Sequence, residues 1–76
     1  PAYVRTPLVE QQIASQALAL GISQEAVESE VFLKSSATGR LIAPNEISNL
    51  ALYLCSDNAK SVTGASWNID CGWTAQ

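Results

Sequence analysis

Histidine is absent from this 76-residue sequence, and cysteine occurs only twice. Without histidine, Cys55 and Cys71 cannot form a Cys/His zinc site, and two cysteines are too few for a disulfide framework. We therefore expect no metal site and two free thiols that pack as small hydrophobic groups.

Basic residues are also scarce. Only four lysines and arginines occur, scattered along a chain of formal net charge -3, so no basic patch can follow a phosphate backbone and nucleic acid is excluded as a partner. No apolar run approaches the roughly 20 residues that span a bilayer. The first residues lack the charged and apolar regions of a signal peptide. We expect a cytoplasmic protein that enters no membrane.

Charged residues make up 14% of the chain, against roughly 25% in typical globular domains. A domain this short also buries a smaller share of its surface than a larger one. Part of what reads as surface should therefore be covered by more protein. This favours a fragment of a longer chain or an obligate oligomer.

The first half of the sequence predicts two helices. Thr6 as an N-cap and Pro7 at the first helical position mark a start, and Gly21 suits the left-handed conformation that ends many helices. A second helix is predicted from the N-cap residue Ser23 to about Lys34. A loop of turn-forming residues follows.

The second half predicts one helix and one strand. The helix, over residues 44–56, begins with a proline and carries apolar residues at i, i+3, i+4 and i+7. The strand, over residues 65–70, alternates apolar and polar side chains. A lone strand leaves its backbone groups unpaired, so its sheet must come from missing chain or another subunit.

Five short motifs follow the second predicted helix in a fixed order: Gly39-Arg40, Pro44-Asn45-Glu46-Ile47, Leu54-Cys55-Ser56-Asp57, Val62-Thr63-Gly64 and Asp70-Cys71-Gly72. Each is weak alone, but the ordered set resembles the end of the short-chain dehydrogenase/reductase family. Residues 1–9 resemble that family's Pro-Gly segment, which lies against the nicotinamide. Within the family, residues 6–12, 21–23 and 72–76 look most like 3-hydroxybutyrate dehydrogenases.

The resemblance implies an α/β fold, in which this chain is the C-terminal part of a Rossmann-like doubly wound parallel sheet and contributes three helices plus one terminal strand. It implies hydride transfer between NAD and a small 3-hydroxy acid, 3-hydroxybutyrate giving acetoacetate. NADP stays open, because that choice is made in the amino-terminal half. The implied partners are the remainder of the dehydrogenase chain and further copies in a homo-oligomer such as a tetramer.

The same resemblance assigns cofactor and substrate contacts. The backbone of Val4 and the side chain of Thr6 would bond the nicotinamide carboxamide, although Thr6 also reads as a plain helix cap. Gln12 would orient the substrate carboxylate through a neutral amide, with a solvated helix position as the alternative.

An aromatic wall and a cap are implied as well. Tyr3, Leu8 and Trp73 would enclose the substrate's methyl group, and packing at a subunit interface is the alternative for Trp73. Trp67, on the predicted strand, is expected in the core. Residues 7–34 would form a helical cap over the site, with a hinge at the glycine between its helices.

Several further positions carry expectations from the family pattern. Arg40 would hold the loop before the third helix, and the terminal carboxylate of Gln76 would touch a neighbouring subunit or a divalent ion. Ala2 and Cys71 replace glycines of the family pattern, which is harmful wherever the backbone takes a positive φ. Ala43 is a poor N-cap.

No catalytic residue is expected within this chain. In the family that the chain resembles, a serine, a tyrosine and a lysine four residues after the tyrosine transfer the proton. Here Tyr3 is followed at that spacing by Pro7 and Tyr53 by Asp57. The glycines are also too dispersed for a phosphate-binding loop. Hydride transfer by the chain alone therefore has no physical basis. The alternatives are a non-catalytic helical module that dimerises, or a degenerate paralogue of the enzyme.

Overall fold

Three helical regions dominate residues 1–75, which a computed structural model describes. They are α1 over Pro7–Leu20, α2 over Gln24–Val27 continued by a π-helix over Glu28–Phe32, and α3 over Pro44–Leu54. Short 3-10 turns occupy Asp57–Ala59 and Trp73–Ala75. Gln76, and with it the expected contact of its carboxylate, lies outside the described residues.

Local capping sets the bounds of α1. The Thr6 hydroxyl accepts from the Val9 N–H at 3.3 Å, and Pro7 occupies the first helical position, where its missing N–H costs nothing. At the other end Gly21 adopts the left-handed conformation (φ 67°, ψ 31°) and its N–H bonds the carbonyl of Ala17. Both predicted ends of α1 are confirmed.

The second helix begins as predicted but changes type. The Ser23 hydroxyl accepts from the Ala26 N–H at 3.0 Å. After Val27 the backbone widens into the π-helix, which ends where the Leu33 N–H reaches the Glu28 carbonyl at 2.9 Å. In an α-helix, residues five apart point about 140° away from each other. The wider turn lets Val27 and Phe32, 0% and 3% exposed, both enter the core.

The hydrophobic core joins the two halves of the predicted cap to the loop that follows. α1 and the α2–π-helix unit pack against each other, and residue 41 closes the cluster. Its buried members are Ile13, Ala17, Val27, Phe32 and Leu41. This small core fixes the cap as one unit beside the amino-terminal segment.

The predicted strand over residues 65–70 is not formed as a strand. Residues 65–69 are extended, and Ile69 accepts one bond, from the Ala2 N–H at 3.3 Å. On the other side of residues 1–5, Val4 forms an isolated parallel bridge with Ile42. A ladder needs a neighbour along its length, and the described chain offers only this short segment. The predicted strand is therefore not confirmed in residues 1–75 taken alone.

An ion pair and a backbone bond hold the start of α3. Ala43 has no side chain to cap the helix, but the Glu46 carboxylate accepts its N–H at 2.7 Å. The Arg40 guanidinium forks onto the same carboxylate at 2.8 and 3.0 Å and bonds the Leu41 carbonyl. The structural role expected for Arg40 is confirmed. The helix ends at Leu54 rather than at residue 56.

The apolar face of α3 is uncovered. No residue of the helix is buried. On this face Ile47 and Leu50 are half-buried, and Leu54 is 40% exposed. Trp67, predicted to lie in the core, is 51% exposed and contacts Tyr53 at a ring distance of 6.0 Å. The radius of gyration is 15.3 Å, whereas a compact chain of this length would have about 11 Å. The apolar face of α3 and the Trp67 side chain therefore lack apolar partners that would bury them among residues 1–75.

Candidate cofactor and substrate edge

The backbone N–H and C=O of Val4 have no hydrogen-bond partner among the residues that the structure describes. Around it, the Tyr3 carbonyl accepts from Ile42 at 3.0 Å and the Arg5 N–H donates to the Ile42 carbonyl at 2.8 Å. In a parallel bridge these bonds come from the flanking residues, so the N–H and C=O of Val4 itself point the opposite way. Neither group bonds another residue within the described range 1–75.

A turn after residue 69 explains why these groups stay free. If residues 65–71 continued as a parallel strand, the Cys71 carbonyl would be the next acceptor, opposite the Val4 N–H. Instead the chain bends at Cys71, whose φ is 55°, and the Cys71 carbonyl accepts from the Ala37 N–H at 2.7 Å. The bend turns the expected neighbour away and leaves one donor and one acceptor at the edge.

Thr6 lies two residues along the chain, at the start of α1. Its hydroxyl oxygen already accepts the Val9 N–H, and its backbone carbonyl accepts the Glu10 N–H at 2.9 Å. A hydroxyl that accepts one bond still has its own hydrogen to donate. The capping role is therefore present and leaves the Thr6 hydroxyl able to bond a ligand.

Tyr3 lines two clefts. The first, which we call the aromatic cleft, has a volume of about 420 Å³ and is lined by Pro1, Ala2, Tyr3, Trp67, Asn68, Ile69, Asp70, Trp73 and Thr74. The second, the amide groove, has about 450 Å³ and is lined by Tyr3, Gln11, Gln12, Ser15, Gln16 and Phe32. The Tyr3 ring lies 4.7 Å from Phe32 and 6.1 Å from Trp73, between centroids.

The predicted substrate residues therefore divide between two places. Tyr3 and Trp73 meet in the aromatic cleft, and Tyr3 and Gln12 meet in the amide groove. Leu8, on the first turn of α1, is 64% exposed and lines neither cleft. The structure thus brings Leu8 together with none of the other predicted wall residues.

The C-terminal turn is organised by Asp70. Its carboxylate accepts the Gly72 N–H at 3.0 Å, the Thr74 N–H at 3.0 Å and the Thr74 hydroxyl at 2.6 Å. The bonds from Thr74, with that from Gly72, hold the pKa of Asp70 below its ordinary value because they favour the charged form. The network fixes the 3-10 turn that carries Trp73 into the aromatic cleft.

The three departures from the family pattern have different consequences. Ala2 does not take a positive φ, so its side chain causes no backbone strain. Cys71 does take one, and its thiol lies 3.6 Å from the Arg40 carbonyl. Ala43 is compensated by the Glu46 carboxylate. The expected strain is present only at Cys71.

Two features of the site were missed in the sequence. Phe32 backs Tyr3 only because the π-helix turns it inward, and no local pattern in residues 28–32 signals that change. The Asp70 network has a local signal, because an aspartate commonly bonds backbone groups two residues ahead in a turn. That signal would have predicted the bond from Gly72.

Comparison with known proteins places the chain in a family. A family model described as Enoyl-(Acyl carrier protein) reductase matches residues 1–74. A short chain dehydrogenase family protein from Francisella tularensis superposes on the whole chain with a TM-score of 0.89 at 36% identity, and 31% of that structure is covered. The chain belongs to the short-chain dehydrogenase/reductase family, whose members are oxidoreductases with a Rossmann-like fold.

Particular relatives come next. The chain is 49% identical over all 76 residues to the D-beta-hydroxybutyrate dehydrogenase of Rhizobium meliloti. It is 41% identical over the same length to the D-beta-hydroxybutyrate dehydrogenase of Cupriavidus necator. The chain spans about 30% of the length of each of these relatives. In residues 1–75, no helix has the length and apolar character that crossing a membrane requires.

Proposed function

We propose that this chain is part of an NAD-dependent dehydrogenase of a small 3-hydroxy acid such as 3-hydroxybutyrate. Within that enzyme it would hold the nicotinamide carboxamide and the substrate. The observation that carries the proposal is the pair of free backbone groups on Val4, next to a helix-capping hydroxyl with a hydrogen to donate. The likeness to two D-beta-hydroxybutyrate dehydrogenases supports the substrate class.

The edge at Val4 and Thr6 complements a carboxamide. A carboxamide carries an NH₂ donor and a C=O acceptor, and the edge offers a carbonyl acceptor, an N–H donor and a hydroxyl. Binding both ends of the amide would fix which face of the ring is presented to the substrate. NAD, when bound, supplies the ring that accepts or returns hydride. NADP would meet the same edge, because the carboxamide is common to both cofactors.

The amide groove suits a carboxylate. Its lining contains three glutamine side chains and no ionisable group except the phenol of Tyr3. A glutamine amide can donate two hydrogen bonds to an anion without titrating in the working pH range. We assign Gln12 to the substrate carboxylate for this reason.

The aromatic cleft suits the short apolar end of the substrate. Tyr3, Trp67 and Trp73 form its aromatic surface, and an aromatic wall favours a methyl group over a charged one. Leu8 is proposed to join this wall when residues 7–34 close over the site as one unit. The core shared by the two helices argues against the expected hinge at Gly21.

The remaining chemistry must come from outside this chain. This family moves the proton with a serine, a tyrosine and a lysine, and the sequence has no tyrosine with a lysine four residues later and no glycine-rich phosphate loop. We propose that the remainder of the dehydrogenase chain supplies them and that the enzyme is a homo-oligomer. The uncovered face of α3 supports both, since it requires packing against further protein.

A chimaera tests the proposal. This chain would replace the aligned segment of the Rhizobium meliloti D-beta-hydroxybutyrate dehydrogenase, to which all 76 residues align. We expect NAD-dependent oxidation of 3-hydroxybutyrate. A folded chimaera that neither binds NAD nor oxidises the acid would refute the proposal.

Within the chimaera, Gln12→Ala tests the carboxylate contact. A hydrogen bond to a charged group contributes about 1.5–3 kcal/mol, so the KM for 3-hydroxybutyrate should rise by roughly 10- to 100-fold while the KM for NAD stays unchanged. Gln24→Ala, in α2 and outside the amide groove, is the matched control. An equal loss toward both ligands would assign Gln12 a structural role instead.

A further inference from the structure

The π-helix contacts the amino-terminal segment at two points. At its first residue, the Glu28 carboxylate accepts from the Arg5 guanidinium at 2.5 Å. At its last residue, the Phe32 ring lies 4.7 Å from the ring of Tyr3. Tyr3 and Arg5 are the two neighbours of Val4. The contacts therefore bracket the residue whose backbone groups are free.

The spacing of the two elements matches. Tyr3 and Arg5 are two residues apart in an extended segment, so their side chains leave it on the same side. Glu28 and Phe32 are four residues apart in a helix, so they lie about one turn apart on one face. One helix face thus meets one side of the segment at both points, and these contacts fix the segment's position and its direction.

The backbone completes this fixation. The Tyr3 carbonyl and the Arg5 N–H are both bonded to Ile42, so the segment is held on that side as well. On the opposite side, the Val4 N–H and C=O bond no other group among residues 1–75, although the Ala2 N–H bonds Ile69 there. Groups held in this way before a ligand arrives bind it without a further ordering cost.

We propose that Glu28 and Phe32 are positioning residues, which act through Arg5 and Tyr3 to hold the Val4 backbone in place for the cofactor carboxamide. This inference rests on the proposed function, because it presupposes that Val4 binds the cofactor. Neither residue touches the free groups of Val4. Arg5 has one further acidic neighbour, Glu10, but that carboxylate is more distant, at 3.7 Å.

The test uses Glu28→Gln and Phe32→Leu in the chimaera, with Glu30→Gln as a control. Glu30 lies in the same π-helix, is exposed and forms no ion pair with another described residue. Loss of an aromatic pair or a close ion pair should raise the KM for NAD by about two- to fivefold, whereas the control should keep the KM of the parental chimaera. The melting temperature is measured for each variant.

A double variant shows whether Glu28 acts through Arg5. If it does, Arg5→Gln combined with Glu28→Gln should have the same KM for NAD as Arg5→Gln alone. Additive effects would overturn this part of the inference. As a second measurement, hydrogen exchange should show protection of the Val4 amide by NAD in the parental chimaera and weaker protection in Phe32→Leu.

The outcomes separate the two proposals. Suppose that the chimaera is active and that Glu28→Gln and Phe32→Leu have the same KM for NAD as the control, with or without a lower melting temperature. This result would refute the positioning role and leave the proposed function unaffected. A folded chimaera in which NAD binds without protecting Val4, or does not bind at all, would refute the assignment of Val4 and this inference with it.

Discussion

The turn at Cys71 and Gly72 gives opposite stability predictions for two adjacent residues. Cys71 has a φ of 55°, where a side chain costs roughly 1–2 kcal/mol relative to glycine. Cys71→Gly removes that strain, but a glycine also adds about 0.4–1 kcal/mol of freedom to the unfolded chain. The weak thiol contact with the Arg40 carbonyl is lost too. We expect a net gain in the free energy of unfolding of about 0.5 kcal/mol.

Gly72→Ala should act in the other direction. Its φ is 82°, and an added Cβ would lie 2.8 Å from the Cβ of Ala37. The backbone strain of roughly 1–2 kcal/mol adds to an overpacking cost of about 1–3 kcal/mol. Gly64→Ala separates the two effects, because its φ is 65° and no atom of residues 1–75 lies within 4 Å of the added atom. It should show the backbone cost without overpacking, reduced by the about 0.4–1 kcal/mol that alanine gains by restricting the unfolded chain.

Thermal unfolding of the chimaera measures all three variants. Because 76 residues are 30% of the relative, the chimaera has about 250 residues, and 1 kcal/mol shifts its Tm by about 2–4 °C. Cys71→Gly should raise the Tm by about 1–2 °C, Gly64→Ala should lower it by about 1–4 °C, and Gly72→Ala should lower it further. A lower Tm for Cys71→Gly, together with equal losses for the two alanine variants, would refute this description of the turn.

Two further predictions concern α3. The hydrogen bonds from the Arg40 guanidinium and the Ala43 N–H lower the pKa of Glu46 from 4.5 to about 2. The stability that this carboxylate contributes is therefore complete above pH 4.5 and is lost as the pH falls toward 2. Glu46→Gln should flatten the dependence of Tm on pH in this window, and an unchanged dependence would contradict the pairing of Glu46 with Arg40. The uncovered face of α3 predicts that the 76-residue chain alone melts without a cooperative transition in circular dichroism and aggregates in sedimentation, whereas a cooperative, discrete oligomer would support a stand-alone interaction module.

The helix ends were predictable because capping is local. Thr6, Ser23 and Gly21 each act within four residues of their own position, so the sequence alone contains the information. The strain at Cys71 was also predictable, because a departure from glycine at a tight turn has a local cost.

The π-helix and the missing strand were not predictable for the opposite reason. The π-helix allows the side chains of Val27 and Phe32 to be buried together. The need to bury both comes from tertiary packing and not from the local sequence. The alternation of apolar and polar side chains in residues 65–70 indicates that an extended segment would have one apolar and one polar face. It does not indicate whether a neighbouring strand is present to pair with it. Trp67 is 51% exposed because residues 1–75 supply no segment that covers it.

The candidate site was predictable in its residues but not in its geometry. The family resemblance named Val4, Thr6 and Gln12. It could not show that the Val4 groups are left free by a bridge to Ile42 and by the bend at Cys71, because both depend on which segments lie side by side.

The crystal structure of the chimaera with NAD and 3-hydroxybutyrate would test the cofactor edge most directly. We predict that the Val4 N–H and C=O each lie about 3 Å from an atom of the nicotinamide carboxamide, with Gln12 at the substrate carboxylate. A carboxamide bound elsewhere, with the Val4 groups bonded to protein, would contradict the account.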